Sequence, residues 1–204
     1  MITLTGFDTN NPNFDLLKYR RQLRACVKWI HARGKGTLQM ATGFGKTVCA
    51  ILILIKLFKK DVSKLRYQGT VLIIVPTLPL KTQWENLIKK QNFQNVTVEC
   101  INTVAMKNKL YYVDLLILDE CHLYATPVFS LVFTKVKYTW ILGLTATMER
   151  LDGNHLLLER YAPICDTVTQ KEAILNGWIA DFIQFNLAVP ITQKEAQEQV
   201  NLGK

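Results

Sequence analysis

Short apolar runs recur along this chain, and each one ends on residues that could hold a ligand. Thr37 to Met40 runs into a glycine loop, Thr70 to Val75 into Pro76-Thr77, and Val96 to Ile101 into Asn102-Thr103. Leu115 to Leu118 runs into Asp119-Glu120, and Trp140 to Leu144 into Thr145-Ala146-Thr147. Helical patterns occupy the intervals, at Phe14 to Ala32, Lys46 to Lys60, Pro79 to Lys90 and Pro127 to Thr134. Strand and helix alternating in this way predict an α/β fold with a mostly parallel central sheet, because parallel strands need a crossover between them. In such sheets ligands bind beyond the carboxyl ends of the strands, which is where these loops fall.

Two of the loops explain each other. In Ala41-Thr42-Gly43-Phe44-Gly45-Lys46-Thr47, the glycines let backbone N–H groups approach a polyphosphate. The following helix turns its positive end toward the ligand, Lys46 supplies charge and the Thr47 hydroxyl can hold magnesium. A strict GxxxxGKT pattern would place its first glycine at position 40, where the chain has Met40. In Asp119-Glu120-Cys121-His122, Asp119 closes a buried strand and is suited to orient Mg²⁺, while Glu120 can polarise the attacking water. Together the two strings predict nucleoside triphosphate hydrolysis.

Composition bounds the rest. A chain of 204 residues can bury roughly 70% of its unfolded surface, enough for one well-packed domain and a tail. The formal charge is +9, and residues 1 to 70 hold 13 of the 25 Lys and Arg but only 3 of the 16 Asp and Glu. A basic front of this kind suits a polyanion. The five cysteines, Cys26, Cys49, Cys100, Cys121 and Cys165, form no CxxC pair and have no His at metal-ligand spacing, which fits a reducing interior. Residues 1 to 10 lack a signal-peptide layout, and the apolar stretch Val48 to Ile55 is far short of the ~20 residues that span a bilayer. The expectation is an intracellular protein with no membrane partner, in cytoplasm or nucleus, or a viral or phage protein inside its host.

Four segments taken together resemble a known family. ATGFGKT, VPTLPLKTQW, LILDECH and LGLTATMER, in that order, are similar to motifs I, Ia, II and III of the superfamily 2 helicases of DEAH/DECH-box type. The likeness is to the branch of XPB-like translocases, phage recombination helicases and type III restriction subunits, and it runs from about Tyr19 to Val189. It implies a three-layer RecA-like P-loop NTPase domain over residues 1–168, an exit segment at 169–191 toward a second domain, and a polar tail at 192–204. It also implies an ATP hydrolase of DNA helicase type that is incomplete as this chain, because a second RecA-like domain, in cis or in trans, supplies arginines to the transferred phosphate.

The resemblance assigns roles by position. Thr42, Gly43, Phe44, Gly45, Lys46 and Thr47 would bind ATP, with Thr47 and Asp119 on Mg²⁺ and Lys46, Asp119 and Glu120 catalytic. Gln22 would read adenine, although Tyr19 and Arg21 stand where relatives have arginine and tyrosine. His122 would bridge to Thr145 and Thr147, which couple hydrolysis to the nucleic-acid face. Pro76, Thr77 and Thr103 would grip the phosphates of nucleic acid, DNA in preference to RNA, in a salt-sensitive and sequence-independent way. Met148 replaces the proline usual after TAT, while Arg150 and Asp152 keep the expected continuation. Trp84 reads as helix packing more than base stacking, and Cys121 as a small filler. Two other readings remain: the motor of a type III restriction enzyme, and a nucleotide-gated nucleic-acid-binding module without useful turnover.

Overall fold

A computed structural model describes residues 14–58, 69–126, 128–148 and 155–181 of the chain. The strand expected at Phe182 to Val189, the tail, Arg150 and Asp152 lie outside the described residues.

The first helix, α1 (Leu16–His31), begins where the Asp15 side chain accepts from the Lys18 N–H and ends with Lys28 and His31 in its last turn. Both ends therefore suit the helix dipole. Tyr19, Gln22, Ala25, Cys26 and Trp29 recur at helical spacing and form its buried face. The Trp29 indole donates to the Ile141 carbonyl at 2.9 Å and pins the helix to the sheet. Next come β1 (Lys35–Met40), α2 (Lys46–Phe58), β2 (Val71–Val75), α3 (Leu78–Lys90), β3 (Val96–Cys100), α4 (Ile101–Met106) and β4 (Tyr111–Asp119). Two 3₁₀ turns, Cys121–Tyr124 and Phe129–Leu131, lead into α5 (Val132–Lys135) and β5 (Val136–Thr145). The chain continues through α6 (His155–Tyr161), β6 (Ile164–Val168) and α7 (Gln170–Leu175).

The six strands form one sheet in the order β3-β2-β4-β5-β1-β6, with every described pairing parallel. Successive side chains on a strand point to opposite faces, and the two cores divide accordingly. Val71, Ile73, Val75, Leu115, Ile117, Leu142 and Leu144 pack with α1, α2 and α3. Leu72, Ile74, Leu116, Leu118 and Ile141 pack with α4, α5 and α6. This is the expected three-layer RecA-like arrangement. Each fully buried aliphatic side chain contributes about 2 kcal/mol, so the two cores hold the strand ends in fixed register.

Some boundaries differ from the expectations. The stretch read as one helix over Pro127 to Thr134 is a 3₁₀ turn followed by the short α5, and β5 starts at Val136 rather than Trp140. Ile101, read as the end of a strand, opens α4, with Thr103 inside that helix. A sixth strand, β6, joins the sheet at an edge beside β1. Its sequence ICDTV carries a cysteine and an aspartate that break the apolar signature.

Candidate nucleotide site

The loop after β1 crosses the carboxyl end of the sheet near its β6 edge, with the Ala41 N–H donating to Val168 O at 2.9 Å. Gly43 and Gly45 take φ values of +79° and +104°, which L side chains rarely adopt. A Cβ at Gly45 would also collide with the Gln22 side chain. Gln22 is buried, and its Nε2 donates to the Phe44 carbonyl at 2.8 Å. It therefore braces the loop, leaving its side-chain carbonyl outside that bond. Phe44 is fully buried and meets Trp178 edge-on at 5.4 Å between ring centres. Thr42 and Gly43 stay exposed, and Lys46 and Thr47 sit partly exposed in the first turn of α2.

The acids lie at the end of β4, two strands from β1 across β5. Asp119 is buried. The Trp84 indole N–H donates to its Oδ2 at 2.8 Å, and the Glu120 N–H donates to its Oδ1 at 3.1 Å. Burial and then the charge of Glu120 push the Asp119 carboxyl above the usual range, against the Trp84 bond, Lys46 and the Glu120 N–H. Glu120 turns the chain out of the strand in the left-handed region, φ +49°. That is an uncommon conformation for a residue with a Cβ, and such strain gathers at functional positions. It directs the carboxylate between two cationic or polar partners: Lys46 Nζ lies 3.4 Å from Oε1 and His122 Nδ1 lies 3.5 Å from Oε2.

From His122 the connection continues. Its Nδ1 is 2.9 Å from Thr145 Oγ1, and that hydroxyl gives its single hydrogen to the Thr147 carbonyl at 2.6 Å. Thr145 Oγ1 must therefore accept, so His122 Nδ1 carries the proton. Lys46, Glu120, His122, Thr145 and Thr147, drawn from three loops, form one polar chain. Pro76 and exposed Thr77 stand at the end of β2, where Thr77 caps α3 by backbone alone, and partly exposed Thr103 follows neighbouring β3. These three sit on the far side of β4 from the glycine loop.

The side chains of Asp119 and Thr47 offer oxygen donors, the kind that suits Mg²⁺. Among the described residues no group of three or more His, Cys, Asp or Glu could hold a metal by itself. One carboxylate, one hydroxyl and the phosphates of a bound nucleotide are the usual environment of Mg²⁺ in phosphoryl transfer. Cys121 is buried against Thr37, and burial pushes its thiol up to about 12, so it fills space beneath the acids.

Sequence reasoning missed several contributors. Trp84 was placed as packing, and its bond to Asp119 is a polar role. The Lys18 ammonium donates to Gly43 O at 3.1 Å and to Trp178 O at 2.7 Å, tying the glycine loop to the segment after α7. Arg21, read as a departure from a pattern, joins Lys28 on Asp166, and its Nε donates to Glu172 at 3.0 Å. Nothing near any of these residues in sequence signals a partner so far away.

Residues 15–111 match the family described as "Type III restriction enzyme, res subunit". The chain is 28% identical over 217 residues to "DNA 3'-5' translocase XPB2" of Sulfurisphaera tokodaii, covering 94% of this chain and 46% of that protein. It is also 28% identical over 206 residues to "Putative ATP-dependent RNA helicase QP509L" of African swine fever virus, covering 88% of this chain and 38% of the relative. Among solved structures, the Pyrococcus furiosus Hef helicase domain superposes with a TM-score of 0.58 at 16% identity, over 80% of this chain and 39% of that one. At that identity the likeness is one of fold. The chain spans less than half the length of these relatives.

Proposed function

We propose that this chain, a RecA-like domain of the superfamily 2 helicase type, is the ATP-binding motor domain of a translocase that acts on nucleic acid. The observation that carries the reading is the continuous polar chain from Lys46 through Glu120 and His122 to Thr145 and Thr147. It runs from the glycine loop, through a carboxylate of the kind that can activate water, to the loop after a neighbouring strand. Lys46 neutralises the β and γ phosphates, Thr47 and Asp119 hold Mg²⁺, and Glu120 orients the attacking water. Bound Mg²⁺ adds charge neutralisation at the phosphates. His122 reports the state of Glu120 to Thr145. Gln22 meets adenine through its carbonyl while its amide remains on the Phe44 carbonyl.

Nucleic acid lies along the ends of β2 and β3, with Pro76, Thr77 and Thr103 on its phosphates, and DNA is the preferred strand. Named relatives include both a DNA translocase and an RNA helicase, so the preference rests on the first. Residues 169–191 lead toward a second RecA-like domain whose arginine completes the site, a contribution of roughly 10³ to 10⁵ in rate. This chain alone is then a competent nucleotide binder and a slow hydrolase. A second reading, the motor of a type III restriction enzyme, is favoured by the family match over residues 15–111. It uses the same site and differs in what the rest of the protein does.

Binding of a fluorescent ATP analogue, with phosphate release measured beside it, tests the reading. Lys46→Ala should weaken binding at least about 100-fold with an unchanged melting profile, consistent with loss of a charge-assisted phosphate contact. Glu120→Gln should keep the affinity and lose the turnover. Undiminished binding in Lys46→Ala would sink the nucleotide site, and undiminished turnover in Glu120→Gln would remove Glu120 as the water-orienting group.

A further inference from the structure

Trp84 is buried to 2% exposure on the inner face of α3, thirty-five residues from the acid that it touches. Packing alone would be served by phenylalanine. A buried indole N–H needs an acceptor, and here the acceptor is a carboxylate oxygen at 2.8 Å instead of a backbone carbonyl. Asp119 is thereby held by two donors on different oxygens, the Trp84 indole on Oδ2 and the Glu120 N–H on Oδ1. Two such bonds fix both the direction and the plane of the group. A carboxylate offers about four lone-pair sites, so half remain for a cation and its water. The Lys46 ammonium pairs with Glu120 instead, at 3.4 Å.

We propose that Trp84 is a positioning residue for Mg²⁺: its indole N–H holds Asp119 in the orientation that the cation requires. The proposal rests on the nucleotide-site reading given above. Removing the N–H leaves a buried carboxylate with one donor fewer, less restrained about its Cβ–Cγ bond. Nucleotide contacts made by the glycine loop and Lys46 do not pass through Trp84 and are untouched.

The test follows polarisation of a fluorescent, non-hydrolysable ATP analogue on the whole chain, first in EDTA and then along a Mg²⁺ titration. Trp84→Phe should leave the affinity in EDTA within about twofold while raising the Mg²⁺ midpoint roughly 10- to 100-fold, the range for losing a partner that orients a metal ligand. In an Asp119→Ala background the same substitution should add nothing to the midpoint. An unmoved midpoint in folded Trp84→Phe, an equal shift in the Asp119→Ala background, or an equal loss of affinity in EDTA would each overturn the role. If the unsubstituted chain failed to bind the analogue at all, the nucleotide-site reading would fall, and the proposal with it. A measurement without substitution guards against a variant that does not fold. In the ¹⁵N-labelled chain the Trp84 indole signal should move when Mg²⁺ is added to the nucleotide-bound protein, and a stationary signal would also overturn the proposal.

Discussion

At the scale of single residues, the best-built ion cluster lies beside the candidate site and not in it. Asp166 on β6 is almost fully buried. Burial alone would raise its carboxyl, yet hydrogen bonds and charge from Arg21 and Lys28 outweigh that and hold it below the usual range. The folded state thus binds fewer protons than the unfolded state near pH 4, so this group stabilises above its unfolded pKa of about 3.9 and the stabilisation is lost as pH falls through the folded value. Asp119, raised by burial, acts with the opposite sign. The difference between the parent and Asp166→Asn isolates the first effect. Urea unfolding should show Asp166→Asn less stable by about 3 kcal/mol at pH 7, with the gap narrowing below pH 4. A gap independent of pH would show that Asp166 acts by packing alone. The placement of Lys46, Asp119 and Glu120 at the ends of strands and the start of a helix was legible in the sequence because it depends on local order. Arg21, Trp84 and Lys18 were not, because each acquires its role from a partner brought close only by folding.

At the scale of elements, α1 links three parts of the molecule that the sequence keeps far apart. Its buried face carries Gln22 to the glycine loop, its flank carries Arg21 and Lys28 to β6, and Lys18 reaches both Gly43 and the Trp178 carbonyl. The segment after α7 is held against the glycine loop by that ammonium and by the Phe44–Trp178 ring contact. Lys18→Met should raise hydrogen exchange at the Gly177, Trp178 and Ile179 amides about tenfold, as expected for removing bonds worth roughly 1 to 1.5 kcal/mol. Unchanged protection at those three amides would show that the ring contact suffices. Strand alternation made β1 to β5 readable, and their cores bear it out. β6 was unreadable for the reason that makes it useful: a strand that buries Asp166 for α1 to grip cannot also look apolar.

At the scale of the whole molecule, the order β3-β2-β4-β5-β1-β6 was beyond the reach of periodicity, which counts strands without saying which are neighbours. That order puts the first strand of the chain between two of the last. Lys35 pairs with Ile141 and Met40 with Val168, each more than a hundred residues further along. Pairings this distant carry a high loop-closure cost and belong to slow-folding topologies. A chain cut after Lys135 keeps β1 but loses both of its partners, and limited proteolysis should find no resistant fragment containing residues 35–58. A stable fragment there would mean that α1 and α2 can hold β1 unaided. During synthesis at about 5 to 20 residues per second, β1 waits roughly 5 to 25 seconds for its neighbours to leave the ribosome. Throughout that interval the nascent glycine loop hangs from a strand with both edges bare, so the candidate nucleotide site takes shape late and depends on protection while it does.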